Sequence, residues 1–192
     1  MAMRLPTIKE SDYTPKQREM ADRIAAKRGA VRGPFKCWLH SPELCDRVEA
    51  LGAFVRYDCS LPTKLSELSI LICSRFFDAQ HSWSAHIDKA IEAGISPEPI
   101  QAIAERREPV FPNHDEQVFW NFCNQLLNNH FVSDENYQAA VDVFGNHGVV
   151  DIIGCLGNFS MLSFCLNTFQ IDLNKSKPNP FDDIRDYAHV KP

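Results

Sequence analysis

The sequence predicts an all-helical protein, and three observations carry the prediction. Period-two alternation of apolar and polar residues, the mark of half-buried strands, is nearly absent. Six or more segments place apolar residues at helical spacing between recognisable start and stop residues. Hydrophobic residues make up 44% of the chain against 23% charged, enough apolar material to bury a core.

The elements follow in order. Thr14 to Arg28 opens with Thr14 as N-cap and a proline at the first helical position, and stops at Gly29. Gly33-Pro34 breaks the chain. Ser41 is the expected cap of a second helix, Pro42 to about Tyr57, with Leu44, Val48, Leu51, Phe54 and Val55 as its apolar stripe. A third helix runs from Leu61-Pro62-Thr63 through Phe77, apolar on every face and therefore expected to be buried. Asp78 is the expected cap of a fourth, ending at Gly94. Further helices are expected over Pro97 to Glu105, Asp115 to Asn129 and Ser133 to Phe144, the last ended by Gly145. Val149 to Phe169 is the longest apolar stretch. Asp151, Gly154, Gly157, Asn158 and Ser160 interrupt it, so a buried helix is expected there in preference to a membrane span.

At 192 residues the chain suits one domain with extensions, expected as an N-terminal helical extension over 1–33, a main domain over 34–173 and a polar tail over 174–192. Twenty basic against 25 acidic residues give a formal charge of −5, with no basic block, which weighs against a nucleic-acid partner. The N-terminus lacks a signal-type apolar run, so a cytoplasmic protein is expected. Seven cysteines stand singly without a CxxC spacing, which fits reduced thiols and gives no zinc cluster; neither metal nor cofactor is expected.

Chemistry concentrates on the third and fourth helices, which carry Glu67, Arg75, Asp78, His81, Trp83 and His86 within apolar sequence. Ser82 and Trp83 share a face with His86, whereas His81 is rotated from it by ~140°. With Asp78 as cap, His81 falls in the first turn, where the helix dipole favours a neutral imidazole able to act as base or hydrogen-bond donor. Structural roles compete with each of these. Glu67 and Arg75, eight residues apart on nearly one face, suit a simple ion pair, and Trp83 suits packing.

The stretch LPTKLSELSILICSRFFDAQHSWSAHIDKAIEAGISPEPI, with its Glu67, Arg75, Trp83, His86 spacing followed by Ala90 and Gly94, resembles the carboxymuconolactone decarboxylase family, whose fold is AhpD-like. SDENYQAAVDVFGNHGVVDIIGCLGNFSMLSFCLNTFQIDL is similar to that family's C-terminal helices, so the resemblance spans roughly Pro34 to Leu173. Its hydroperoxidase members carry a CxxC four residues before the histidine. Here those positions are Ala79 and Ser82, so the thiol mechanism has no residues to run on.

What the resemblance implies is a cofactor-independent lyase or isomerase acting on a small carboxylated, lactone or ring-derived, catabolic intermediate. Glu67, His86 and His81 would move protons, while Arg75, Arg56, Trp83 and Ser82 would hold substrate. Two alternatives stand beside it, a peroxidase-like redox protein using a non-CxxC thiol such as Cys73, and a non-catalytic binding relative. A homo-oligomer, trimer or hexamer by resemblance with dimer open, is the expected assembly.

Overall fold

The computed structural model describes residues 3–171 and 180–181, and among these there is no strand. Eight α-helices follow one another: α1 (Pro15–Arg28), α2 (Phe35–Trp38), α3 (Pro42–Ala53), α4 (Thr63–Phe76), α5 (Gln80–Glu92), α6 (Pro97–Ala104), α7 (His114–Asn129) and α8 (Asp134–Phe169). The class is all-α, with the architecture of the AhpD-like fold.

Local chemistry explains most boundaries. Thr14 Oγ1 accepts from the Gln17 amide while the Gln17 side chain accepts from the Thr14 amide, a reciprocal cap on α1. Gly29 closes the helix at φ 79°. Ser133 Oγ accepts from the Asn136 amide and starts α8. The stop expected at Gly145 is a break inside α8, where φ 65° and ψ 172° leave the helical region.

The start of α5 differs from the expectation. Ala79 is its N-cap, and Asp78 stands one residue earlier in the left-handed region at φ 56°. The Asp78 carboxylate does not cap. It accepts from Arg75 and Arg106 at 2.8 and 2.5 Å, because two guanidinium groups, that of Arg75 buried, outbid the amides of one helix turn.

The second expected helix is corrected as well. It ends at Ala53 and passes into a single π turn, Phe54–Asp58. The face that packs inward is Cys45, Val48, Gly52 and Val55, while Leu44, Leu51 and Phe54 are exposed, so the expected stripe is rotated by about one residue along α3. The carbonyl of Val55 in that turn accepts from Ser66 Oγ at 2.9 Å, which satisfies a backbone acceptor buried there.

Two apolar cores result. The larger joins α4 through α8 around Leu65, Leu68, Leu71, Phe119 and Ile152. A smaller one, Met20, Ala21, Ile24, Phe35, Leu39 and Cys45, ties α1 and α2 to α3. Helices α4 and α5 pack along each other as a hairpin closed by three residues, and that hairpin faces α8. Of the expected tail, only Pro180 and Phe181 lie within the described residues. Phe181 is buried, its ring edge-on to Trp83 at 5.8 Å, and its carbonyl accepts from Gln80 Nε2. Helix α8 is the one described helix long and apolar enough to cross a membrane, and 56% of its most apolar window is buried inside the fold.

Candidate functional site

Hairpin geometry sets the first pair of groups. Glu67 stands ten residues before the α4–α5 turn and His86 seven after it, so antiparallel packing brings them within reach of each other. Glu67 Oε2 lies 2.6 Å from His86 Nδ1, and Glu67 Oε1 accepts from Arg56 Nη2 at 3.1 Å. The carboxylate is 4% exposed. Arg56 reaches it from the π turn.

Electrostatics fixes the state of this trio. Burial raises the Glu67 carboxyl, but the hydrogen bond and charge of His86, with Arg56 and Lys89, outweigh it and leave the group below its ordinary value. Burial drives His86 below its ordinary value, only partly opposed by the hydrogen bond and charge of Glu67. The resting pair is therefore a carboxylate and a neutral imidazole. Nδ1–H donates to Glu67, and the lone pair sits on Nε2, a base held in one tautomer.

The His86 ring borders a cavity of about 650 Å³ enclosed by α1, α3, α5, α8 and the segment between α1 and α2. His81 and Ser82 line it beside His86. Gly33 comes so close to His81 that a Cβ there would stand 3.2 Å from Nε2. Five cationic side chains also line the cavity: Lys27, Arg28, Arg32, Arg56 and Lys89. No aspartate or glutamate among the described residues does so. Burial first, then the neighbouring charge of Arg56, lowers the basicity of both Arg28 and Lys89.

Other expected site residues are elsewhere. Arg75 is 2% exposed and is committed to Asp78, to the Ala104 carbonyl at 2.8 Å and to the face of Phe181 at 4.1 Å. It borders a cavity separate from that of His86, and its ion pair is with Asp78 where Glu67 was expected. Trp83 is 1% exposed, packs on Phe181, and does not line the cavity of His86. Both residues pack on Phe181, and Arg75 also holds the loop through Asp78.

Thiols are absent from the cavity wall among the described residues. Cys73 is fully buried, its thiol within 3.7 Å of the Leu156 carbonyl, and burial pushes its pKa up to about 12. Nucleophilic or peroxidatic use of that sulfur is opposed on both counts.

Sequence reasoning missed Lys27, Arg28, Arg32, Lys89 and Asn158. Lys27 and Arg28 stand in the last turn of α1, where basic side chains are favoured whether or not they serve a site. Asn158 read as an interruption of an apolar run, although a buried amide in such a run is itself a signal that something polar lies opposite.

Comparison with known proteins yields no matching family model and no matching curated protein. Solved structures do match in fold. One is the alkylhydroperoxidase AhpD core of an uncharacterized peroxidase-related protein from Ralstonia eutropha JMP134, at TM-score 0.67 and 16% identity over 91% of this chain and 93% of that one. A second is an uncharacterized peroxidase-related protein from Silicibacter sp. TM1040, at TM-score 0.73 and 14% identity over 91% and 93%. A third is the debrominase Bmp8, solved as a cysteine-to-alanine variant with 2,3,4-tribromopyrrole, at TM-score 0.71 and 15% identity over 92% and 94%.

Proposed function

We propose that this chain, which has the AhpD-like fold, is a cofactor-independent enzyme that moves protons on a small carboxylated molecule, as a lyase or isomerase. The observation that carries the reading is the 2.6 Å Glu67–His86 contact on the wall of a cationic cavity that no thiol lines. Enzymatic members are known in the fold, since one neighbour is a debrominase.

His86 acts from its neutral form. Nε2 takes a proton from a carbon acidified by an adjacent carbonyl, and Glu67 stabilises the imidazolium that forms. The electron pair left on carbon moves into the carbonyl as an enolate, which Arg56 and Lys89 neutralise at the cavity wall. Return of the proton to another carbon completes an isomerisation. In the lyase variant the carbon–carboxylate bond breaks instead and carbon dioxide leaves. The pair again forms the enolate, and His86, charged from solvent, delivers the proton as the double bond relocates. His81 and Ser82 lie within the same wall and serve as hydrogen-bond donors to the substrate oxygen.

Nuclear magnetic resonance in D2O tests the reading on a panel of small unsaturated lactone acids and β-keto acids. Deuterium at the acidic carbon, or release of carbon dioxide, is expected, and His86→Gln or Glu67→Gln should slow it ~10²–10⁴-fold. Dithiol-dependent consumption of peroxide, or full turnover in folded His86→Gln, would overturn it.

We also infer a homo-oligomer. Phe54, Tyr57, Val150, Ile153 and Phe164 are exposed apolar residues that a second copy would cover.

A further inference from the structure

One wall of the cavity holds polar groups that the proton-transfer chemistry does not use. Asn158 on α8 is 1% exposed and borders the cavity, and neither its Nδ2 nor its Oδ1 has a hydrogen-bond partner. A buried amide left in that state is costly, so it marks a place where a ligand completes the structure. Arg28, at the end of α1, has an equally unpartnered Nε, and its side chain is 15% exposed. Between them lies Gly52 of α3. A Cβ at that position would stand 3.7 Å from both Arg28 Nη2 and Asn158 Oδ1, so the missing side chain is what leaves room beside the two groups.

The charge around this wall is of one sign. Among the described residues, Glu49 is the carboxylate paired with Arg28; it lies 3.9 Å from Arg28 and 3.7 Å from Lys27, and does not line the cavity. Arg28 thus keeps a guanidinium edge for the cavity, stiffened by the Phe35 ring at 4.8 Å. Protein net charge is −5, so the local concentration of cations is no reflection of composition.

We propose that Arg28 and Asn158, with the space left by Gly52, form the subsite that anchors the carboxylate of the ligand. One carboxylate oxygen accepts from the Arg28 guanidinium and the other from Asn158 Nδ2, while Arg56 and Lys89 remain for charge that develops near His86. The wall comes from α1, α3 and α8, so the segment ahead of residue 34 is part of the site. The catalytic consequence rests on the proton-transfer reading. The binding claim does not.

Isothermal titration with benzoate, and with benzamide as its uncharged counterpart, tests the subsite. Benzoate should bind the unaltered chain at least ~10-fold more tightly than benzamide, and the preference should shrink with added salt. Asn158→Leu and Arg28→Met should each weaken benzoate ~10-fold or more and leave benzamide within a factor of ~3. Where Asn158→Leu does not fold, Asn158→Asp keeps the shape and should repel benzoate to the same degree, and Gly52→Ala should obstruct both probes. His86→Gln should bind benzoate as the unaltered chain does. Loss of turnover there with binding intact separates a failure of the chemistry from a failure of the subsite. Equal affinity for the two probes, no binding of benzoate, or unchanged affinity in folded Asn158→Leu and Arg28→Met would overturn the proposal.

Discussion

Replacing Glu67 by glutamine should cost stability in a way that depends on pH, because the carboxylate is held at once by His86 and Arg56 while 4% exposed. Glutamine keeps one acceptor oxygen and loses the charge. Removing one member of a buried pair costs ~3–5 kcal/mol, and the open cavity beside this one screens the loss toward ~2–3 kcal/mol. At ~2–4 °C per kcal/mol for a chain of this size, the melting temperature at pH 7 should fall by about 5–10 °C.

The sign of the pH dependence follows from two depressed groups. Glu67 titrates below its ordinary value of 4.5, so its stabilisation is full above that pH and is lost as pH falls through the lower, folded value. His86 titrates below its ordinary value of 6.5, so folding is also weakened as pH falls from there. The gap between the two proteins should widen modestly from pH 6.5 to 4.5, where only the unaltered chain has a counter-ion for imidazolium. It should then close as Glu67 itself takes up a proton. Thermal melts followed by circular dichroism between pH 3 and 8 measure this. Equal melting temperatures at pH 7, or a gap that goes on widening as pH falls below 4.5, would refute the reasoning.

Other outcomes follow from single features. Asp151→Ala strands the amide and hydroxyl of Ser60, which donate to Asp151 at 2.8 and 2.7 Å, and should destabilise by ~1–3 kcal/mol in a urea titration. Gly33→Ala, at φ 54° and with its Cβ 3.2 Å from His81 Nε2, should lower both stability and turnover, read by melting temperature and kcat. Native-state labelling with a thiol reagent should be slow for Cys45, Cys73, Cys155 and Cys165, whose thiols burial pushes up to about 11 or 12, and rapid labelling of those four would contradict the packing. Light scattering should give a mass above the 21.8 kDa of one chain.

The helices were legible because their ends are written locally. Thr14, Gly29, Ser133 and Gly145 each act on residues within one turn of themselves. Glu67 and His86 were legible for a related reason, since a hairpin of two helices converts sequence spacing into contact. Asp78 was misread because its partner Arg106 lies 28 residues away, and a distant guanidinium changes which local bond wins. Arg75 and Trp83 share sequence neighbourhood with His86 but not its cavity: the Trp83 ring and the Arg75 charge both pack on Phe181, about a hundred residues further along the chain, which no local spacing reveals. Arg28, Gly52 and Asn158 meet from three helices spread over 130 positions, so no window of sequence contains them together.

The break at Gly145 decides how much of α8 the molecule is able to use. Thirty-six residues of straight helix would measure ~54 Å, longer than the ~40 Å diameter expected of a compact chain of this length, so about a quarter of an unbroken rod would run past the edge of the protein. With the bend, both lengths lie on one body. Phe144 on the first half meets Phe119 of α7 at 6.2 Å, and Leu156 and Ser160 on the second half receive the thiol of Cys73 from α4. The second length also carries Asn158 to the cavity wall. The angle at one glycine therefore works as a carpenter's mitre, turning a beam too long for the frame into two that meet inside it.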